Sequence, residues 1–85
     1  MKEFCYVITD PEGIHARPAG MLVKEAGKFT SSIRLIKNGK AADAKRIFSV
    51  MSLAAKKGET IQVTVDGPDE ENAAAAIRDF LEKNL

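Results

Sequence analysis

The stretch Gly13-Ile14-His15-Ala16-Arg17-Pro18-Ala19-Gly20 lies where a turn-rich segment gives way to an amphipathic helical pattern. It contains the only histidine of the 85-residue chain. Residues 10–13, Asp-Pro-Glu-Gly, have turn-forming chemistry. Pro18 fits the first turn of a helix, because the N–H group that proline lacks has no intrahelical partner there. These residues predict that His15 lies at the N-terminus of a helix.

The surroundings predicted for His15 suit a phosphoryl acceptor. The unpaired N–H groups at a helix start carry partial positive charge and bind anions, and Arg17 adds a full positive charge. Both disfavour the imidazolium form and leave a neutral imidazole, which is a usable nucleophile. A phosphoryl group on the ring would meet the N–H groups of Ala16 and Arg17 and the Arg17 guanidinium. A solvated structural histidine is the alternative that these residues leave open.

The rest of the chain predicts a single α+β domain over residues 1–85. β-branched and alternating runs predict strands at residues 2–9, 32–37, 40–43 and 60–66, and Asn38-Gly39 predicts a type I′ hairpin turn. Apolar spacing predicts helices over residues 16–27, within 44–53 and over 69–84, with Asp69 capping the last one. The order β-α-β-β-α-β-α predicts an open-faced α/β sandwich, an antiparallel sheet of four strands with three helices on one face.

Composition excludes several classes of function. Thirteen basic and twelve acidic residues give a net charge of +1, so no bulk field favours nucleic acid or a membrane surface. The apolar runs are too short to span a bilayer, and we expect no signal peptide. The single Cys5 cannot form an internal disulfide, so we expect a cytoplasmic protein. No motif predicts a bound cofactor, a metal site or a P-loop.

The short helix within residues 44–53 carries more apolar side chains than one small core accepts. Ile47, Phe48 and Met51 cannot all point inward, which predicts exposed apolar surface suited to binding a partner. The alternative is that Phe48 and Met51 are exposed without a role.

The motif at residues 13–19 resembles the active-site signature of HPr, the histidine-containing phosphocarrier of the bacterial phosphoenolpyruvate:sugar phosphotransferase system. Asn38-Gly39, Val50-Met51-Ser52-Leu53 and Asp66-Gly67 follow in the same order, so the resemblance covers the whole chain. It implies an HPr-like fold and a monomeric carrier that is not an enzyme by itself. Phosphorylated Enzyme I would phosphorylate His15 on Nδ1, and Enzyme IIA domains would take the group for sugar uptake. Arg17 would stabilise the phosphoryl charge, and the implied partner surface comprises Gly20, Lys24, Arg46, Ile47, Phe48 and Met51.

Arg46 departs from the family pattern. HPr proteins usually have a serine at this position, which a dedicated kinase phosphorylates in many Gram-positive bacteria. Arginine has no hydroxyl group, so the resemblance does not extend to this regulation, and we expect Arg46 to add positive charge to the partner surface. Two alternatives to sugar transport remain open: a regulatory binding module in which His15 phosphorylation is a signal, and a specialised system that phosphorylates something other than transported sugars.

Overall fold

The computed structural model describes residues 1–85 as four strands and three helices in the predicted order. In chain order they are β1 (Lys2–Val7), α1 (Ala16–Ala26), β2 (Ser32–Lys37), β3 (Lys40–Asp43), α2 (Ile47–Ser52), β4 (Thr60–Asp66) and α3 (Glu70–Asn84).

The four strands form one antiparallel sheet in the order β1-β4-β2-β3. Strand β4, one of the two central strands, places Val63 between Phe4 of β1 and Leu35 of β2. Asn38 and Gly39 join β2 to β3 with φ angles of 50° and 82°, and positive φ at both central residues is what a type I′ turn requires. The predicted hairpin is therefore confirmed, and in it Lys37 of β2 pairs with Lys40 of β3.

One face of the sheet is covered by the helices, and the other is open. Alternate residues of β4 are buried, whereas Gln62 and Thr64 between them are partly exposed, as expected of a half-buried strand. Helix α1 packs against α2 and α3, and α3 packs against β1 and β4. The buried apolar side chains form a single core of 20 residues. The predicted open-faced sandwich is confirmed, and none of its helices has the length and apolar content needed to cross a membrane.

Strand β1 is shorter than the sequence predicts. Strand β1 ends at Val7, because the N–H groups of Thr9 and Asp10 bond to the main-chain oxygen of Leu85 at the end of α3 instead of to the sheet. Helix α2 lies within the predicted residues 44–53 and begins at Ile47, after a turn closed by the hydrogen bond from the Arg46 N–H to the Asp43 carbonyl. The chain therefore leaves β1 towards the C-terminal end of α3, beside the His15 segment.

The prediction that the Asp69 side chain caps α3 is wrong. Asp69 occupies the N-cap position but makes no side-chain bond to the helix. Its carboxylate instead accepts hydrogen bonds from the Ser31 hydroxyl and from the N–H groups of Thr30 and Ser31. These bonds, the one from the Ser31 hydroxyl first, lower the pKa of Asp69 from 3.8 to about 2. Asp69 therefore ties the α1–β2 connection to the start of α3.

Candidate functional site

The segment that carries His15 is held against the loop between α2 and β4. Gly13 has φ of +68°, and its N–H bonds to the Asp10 carbonyl at 2.9 Å. The next N–H, of Ile14, bonds to the Ala55 carbonyl at 2.9 Å, and the Ile14 side chain is buried. A side chain at position 13 would overlap the Ala55 carbonyl, so glycine is required for this close approach. The backbone immediately before His15 is therefore held in a defined position.

His15 is the N-cap residue of α1, as the sequence predicts. Its backbone is extended, and its carbonyl accepts the first helical hydrogen bond, from Ala19 at 3.0 Å. The His15 side chain makes no capping hydrogen bond. The N–H groups of Ala16 and Arg17 have no hydrogen-bond partner within the chain, and Pro18 has no N–H group. Two free donors therefore stand at the helix end beside the imidazole, where an anion is favoured.

The imidazole faces an open cleft, and 38% of the side chain is exposed. Arg17 and Pro18 line one part of this cleft, and Asn84 lines it from α3. The Arg17 side chain is exposed and forms no ion pair, which leaves its guanidinium free to bind an anion. The cleft is polar, open and accessible to the active site of another protein.

Two carboxylates beside His15 were missed by reasoning from the sequence. The Nε2 atom of His15 lies 3.4 Å from Glu12 Oε2 and 4.0 Å from Asp10 Oδ1. The expectation that the neighbours of His15 are only positive is therefore incomplete, because the turn at residues 10–13 folds back over the ring. The sequence also predicts no metal site. In the structure, however, the possible ligand atoms of Asp10, Glu12 and His15 lie within 4.8 Å of one another.

The predicted partner residues of α1 form one stripe, in which Arg17 and Lys24 are exposed and Gly20 is partly buried. Arg17, Gly20 and Lys24 are spaced by three and four residues, which places them on the same helix face. Met21 follows Gly20 and is also exposed, but it was not among the predicted partner residues. The signal was available, because Met21 falls outside the apolar stripe that predicts the buried side of the helix.

The predicted partner residues of α2 continue this surface. A Cβ atom at Gly20 would lie 3.6 Å from Ile47 Cδ1, which is ordinary van der Waals contact, so this part of α1 lies against α2. Phe48 is 84% exposed, and Met51, three residues further along α2, is also exposed. Both helices therefore contribute apolar side chains near the contact between Gly20 and Ile47, and we call this group of residues the docking face: Arg17, Gly20, Met21, Lys24, Ile47, Phe48 and Met51.

Arg46 lies at the N-cap position of α2, beside the docking face, and its side chain is exposed. It provides no side-chain cap. Its Nε atom lies 3.8 Å from Asp43 Oδ2, so part of its positive charge is balanced within the chain. The hydroxyl of Ser49 is engaged with the Asp43 N–H. Arg46 is thus available to a partner, with its charge moderated by one neighbour.

This small open-faced sandwich presents a histidine beside free helix N–H groups and has exposed apolar side chains on the same helices. These features are typical of a carrier domain whose chemistry is completed by partner proteins. The sequence matches, over residues 2–83, the family described as PTS-HPr, PTS HPr component phosphorylation site. The chain is 48% identical over 85 residues to the phosphocarrier protein HPr of Mycoplasma genitalium, covering 99% of this chain and 97% of the relative.

Solved structures agree with this assignment. The histidine-containing phosphocarrier protein of a mycoplasma superposes with a TM-score of 0.93 at 43% identity, covering 96% of this chain and 93% of that one. An HPr dimer from Thermoanaerobacter tengcongensis superposes with a TM-score of 0.78 at 40% identity, covering 98% and 95%. The chain belongs to the HPr family: it is a phosphocarrier of the phosphotransferase system and not an enzyme by itself.

Proposed function

We propose that His15 is the residue that carries the phosphoryl group, on Nδ1, between phosphorylated Enzyme I and Enzyme IIA domains in sugar uptake. One observation supports this most strongly: the only histidine is the N-cap of α1, half-exposed, next to two N–H groups that have no partner within the chain. These donors and the Arg17 guanidinium suit a phosphoryl group on the ring, because all three bind negative charge.

The transfer needs little from this chain beyond a nucleophile and a place for the charge. The lone pair of Nδ1 attacks the phosphorus of the donor, a nitrogen–phosphorus bond forms, and the bond from phosphorus to the donor breaks with its electrons returning to the donor. The free N–H groups of Ala16 and Arg17 and the Arg17 side chain stabilise the phosphoryl oxygens. Passing the group to an acceptor is the same step in the opposite sense.

The docking face receives each partner in turn. Phe48, Met51 and Ile47 supply apolar contact, and Arg17 and Lys24 supply positive charge around it. Arg46, at the edge of this face, adds a further positive charge for an acidic partner surface. The donor and the acceptor must both reach His15, which lies at the end of the helix that carries the charged stripe. The same surface therefore serves both partners, and they bind one after the other.

We also propose that residues 1–85 act as a single monomeric domain in the cytoplasm, where phosphoenolpyruvate supplies the phosphoryl group. The single core of 20 buried residues supports one domain. The pairing of β1 with β4 of the same chain supports a closed monomer. Light scattering at micromolar concentration distinguishes this state from a dimer of the kind known for HPr from Thermoanaerobacter tengcongensis.

A reconstituted relay tests the transfer. Purified protein is phosphorylated with phosphoenolpyruvate and Enzyme I, separated from both, and mixed with an Enzyme IIA domain. We expect the group to move to Enzyme IIA, no phosphorylation of His15→Ala, and a rate for Arg17→Ala that is lower by roughly 10- to 100-fold. Phosphorylated protein that cannot pass the group to any Enzyme IIA would overturn the carrier role and favour a signalling module.

A further inference from the structure

We propose that Glu12, assisted by Asp10, is a positioning residue that holds the imidazole proton of His15 on Nε2 and so leaves the lone pair on Nδ1. The inference rests on the proposed function of His15 and adds the residues that determine which ring nitrogen reacts.

Geometry places both carboxylates at the same ring nitrogen. Glu12 Oε2 lies 3.4 Å from Nε2, and Asp10 Oδ1 lies 4.0 Å from it. The two side chains are organised by their own turn: Asp10 Oδ1 accepts the Glu12 N–H at 2.8 Å, and the Asp10 carbonyl accepts the Gly13 N–H at 2.9 Å. The turn that delivers His15 to the helix end therefore also delivers two negative groups to Nε2.

A carboxylate at Nε2 selects one of the two neutral forms of the ring. Neutral imidazole has one N–H donor and one acceptor nitrogen, and an ionised carboxylate only accepts hydrogen bonds. The favoured form therefore carries its proton on Nε2, the nitrogen nearer to Glu12, and its lone pair on Nδ1. The other form would set the Nε2 lone pair against the Glu12 oxygen and place the proton on the nitrogen that must attack.

The same proton keeps the transfer reversible. When Nδ1 bonds to phosphorus and the donor bond breaks, the ring keeps its Nε2 proton and gains a positive charge, which the negative Glu12 carboxylate stabilises. When an acceptor takes the phosphoryl group, the electrons of the nitrogen–phosphorus bond return to Nδ1 and leave neutral imidazole. No proton has to move in either direction. Arg17 and the N-terminus of α1 act in the opposite sense on the ring charge, and Asn84 of α3 is neutral.

The test separates ring orientation from folding and from docking. Nitrogen NMR on protein labelled in histidine measures the protonation of each ring nitrogen in the neutral form, without Enzyme I. Glu12→Ala is compared with Glu71→Ala, which removes the same charge from an exposed position at the far end of α3. Glu12→Gln keeps an acceptor oxygen and separates hydrogen bonding from charge. The same proteins are then used as substrates of Enzyme I.

We expect Glu12→Ala to lose Nε2–H population and to lower kcat for its phosphorylation by roughly two- to fivefold, the range for an exposed charged contact, with KM unchanged. Glu71→Ala should match the native protein, and Glu12→Gln should lie between them. Native nitrogen shifts and native kcat in Glu12→Ala would overturn the positioning role while leaving the proposed function intact. Failure of the native protein to be phosphorylated would instead overturn the proposed function and this inference with it.

Discussion

Replacing Phe48 with alanine should weaken partner binding without destabilising the fold. Phe48 is 84% exposed on α2 and is absent from the core, so truncating it removes few contacts within the chain. Its exposed ring lies on the docking face, where a partner would bury it. Phe48→Ala thus separates binding from folding more cleanly than any substitution at the partly buried Ile47.

The magnitude follows from the area left for a partner to cover. Complete burial of a phenylalanine side chain contributes about 1.5–3 kcal/mol relative to full exposure. Because 84% of Phe48 remains exposed in the free protein, nearly all of this contribution is available on docking. After allowance for the methyl group that alanine keeps, the expected loss of affinity is about 10- to 100-fold.

The assay compares KM for phosphorylation by Enzyme I and Kd for an Enzyme IIA domain. KM and Kd should rise together while kcat stays unchanged, since Phe48 has no part in stabilising the phosphoryl group. Val7→Ala is the matched control, because Val7 is an exposed apolar residue on β1, outside the docking face. The free energy of unfolding should change by less than about 0.5 kcal/mol in either variant. Unchanged affinity for both partners in Phe48→Ala would refute the assignment of α2 to the docking face.

Further substitutions test the core, the contacts of Asp69 and the role of Arg46. Leu22→Ala, at a fully buried position of α1, should lower the free energy of unfolding in urea by about 2–5 kcal/mol, whereas the exposed Met21→Ala should change it by less than about 0.5 kcal/mol. The Ser31 hydroxyl and neighbouring N–H groups hold the pKa of Asp69 at about 2, so the native protein should lose stability as pH falls from 3.8 to about 2. Asp69→Asn should be less stable at neutral pH and should lack this part of the pH dependence in thermal melts; an identical profile would contradict it. Arg46→Ser should weaken Enzyme I binding by roughly two- to fivefold and reduce its dependence on salt, and the idea fails if neither changes.

Local sequence signals predict most of this fold because they coincide with the tertiary structure. The alternation in β4 and the Asn38-Gly39 turn each determine a local geometry, and their bounds match the structure. The end of β1 was predicted less well, because it depends on contacts with a distant segment. The N–H and hydroxyl groups of Thr9 donate to the main-chain oxygen of Leu85 at the end of α3, and nothing near Thr9 in the sequence indicates that partner.

Asp69 shows the same limit for a side chain. An aspartate before an apolar helical pattern predicts an N-cap, and Asp69 does occupy that position. Its carboxylate, however, bonds to Thr30 and Ser31, which lie 39 and 38 residues away in sequence. Competition between a local and a distant set of donors cannot be resolved from residues near the helix start.

In the candidate site too, some residues could be predicted from the sequence and others could not. His15, Ala16 and Arg17 follow from the helix start alone, since the free N–H groups belong to the first turn of any helix. The approach of Glu12 to the ring depends on how the turn at residues 10–13 folds back, which the residue types do not determine. The proposed phosphoryl acceptor, His15, could thus be predicted from the sequence, whereas its proposed positioning residue, Glu12, could be identified only from the structure.

The most direct test of the central claim is the intact mass of the protein after incubation with phosphoenolpyruvate and Enzyme I, for the native chain and His15→Ala, before and after acid treatment. The account predicts one added phosphoryl group on the native chain, lost in acid and absent from the variant. No added mass on the native chain with a competent Enzyme I, or an acid-stable group that persists in His15→Ala, would contradict it.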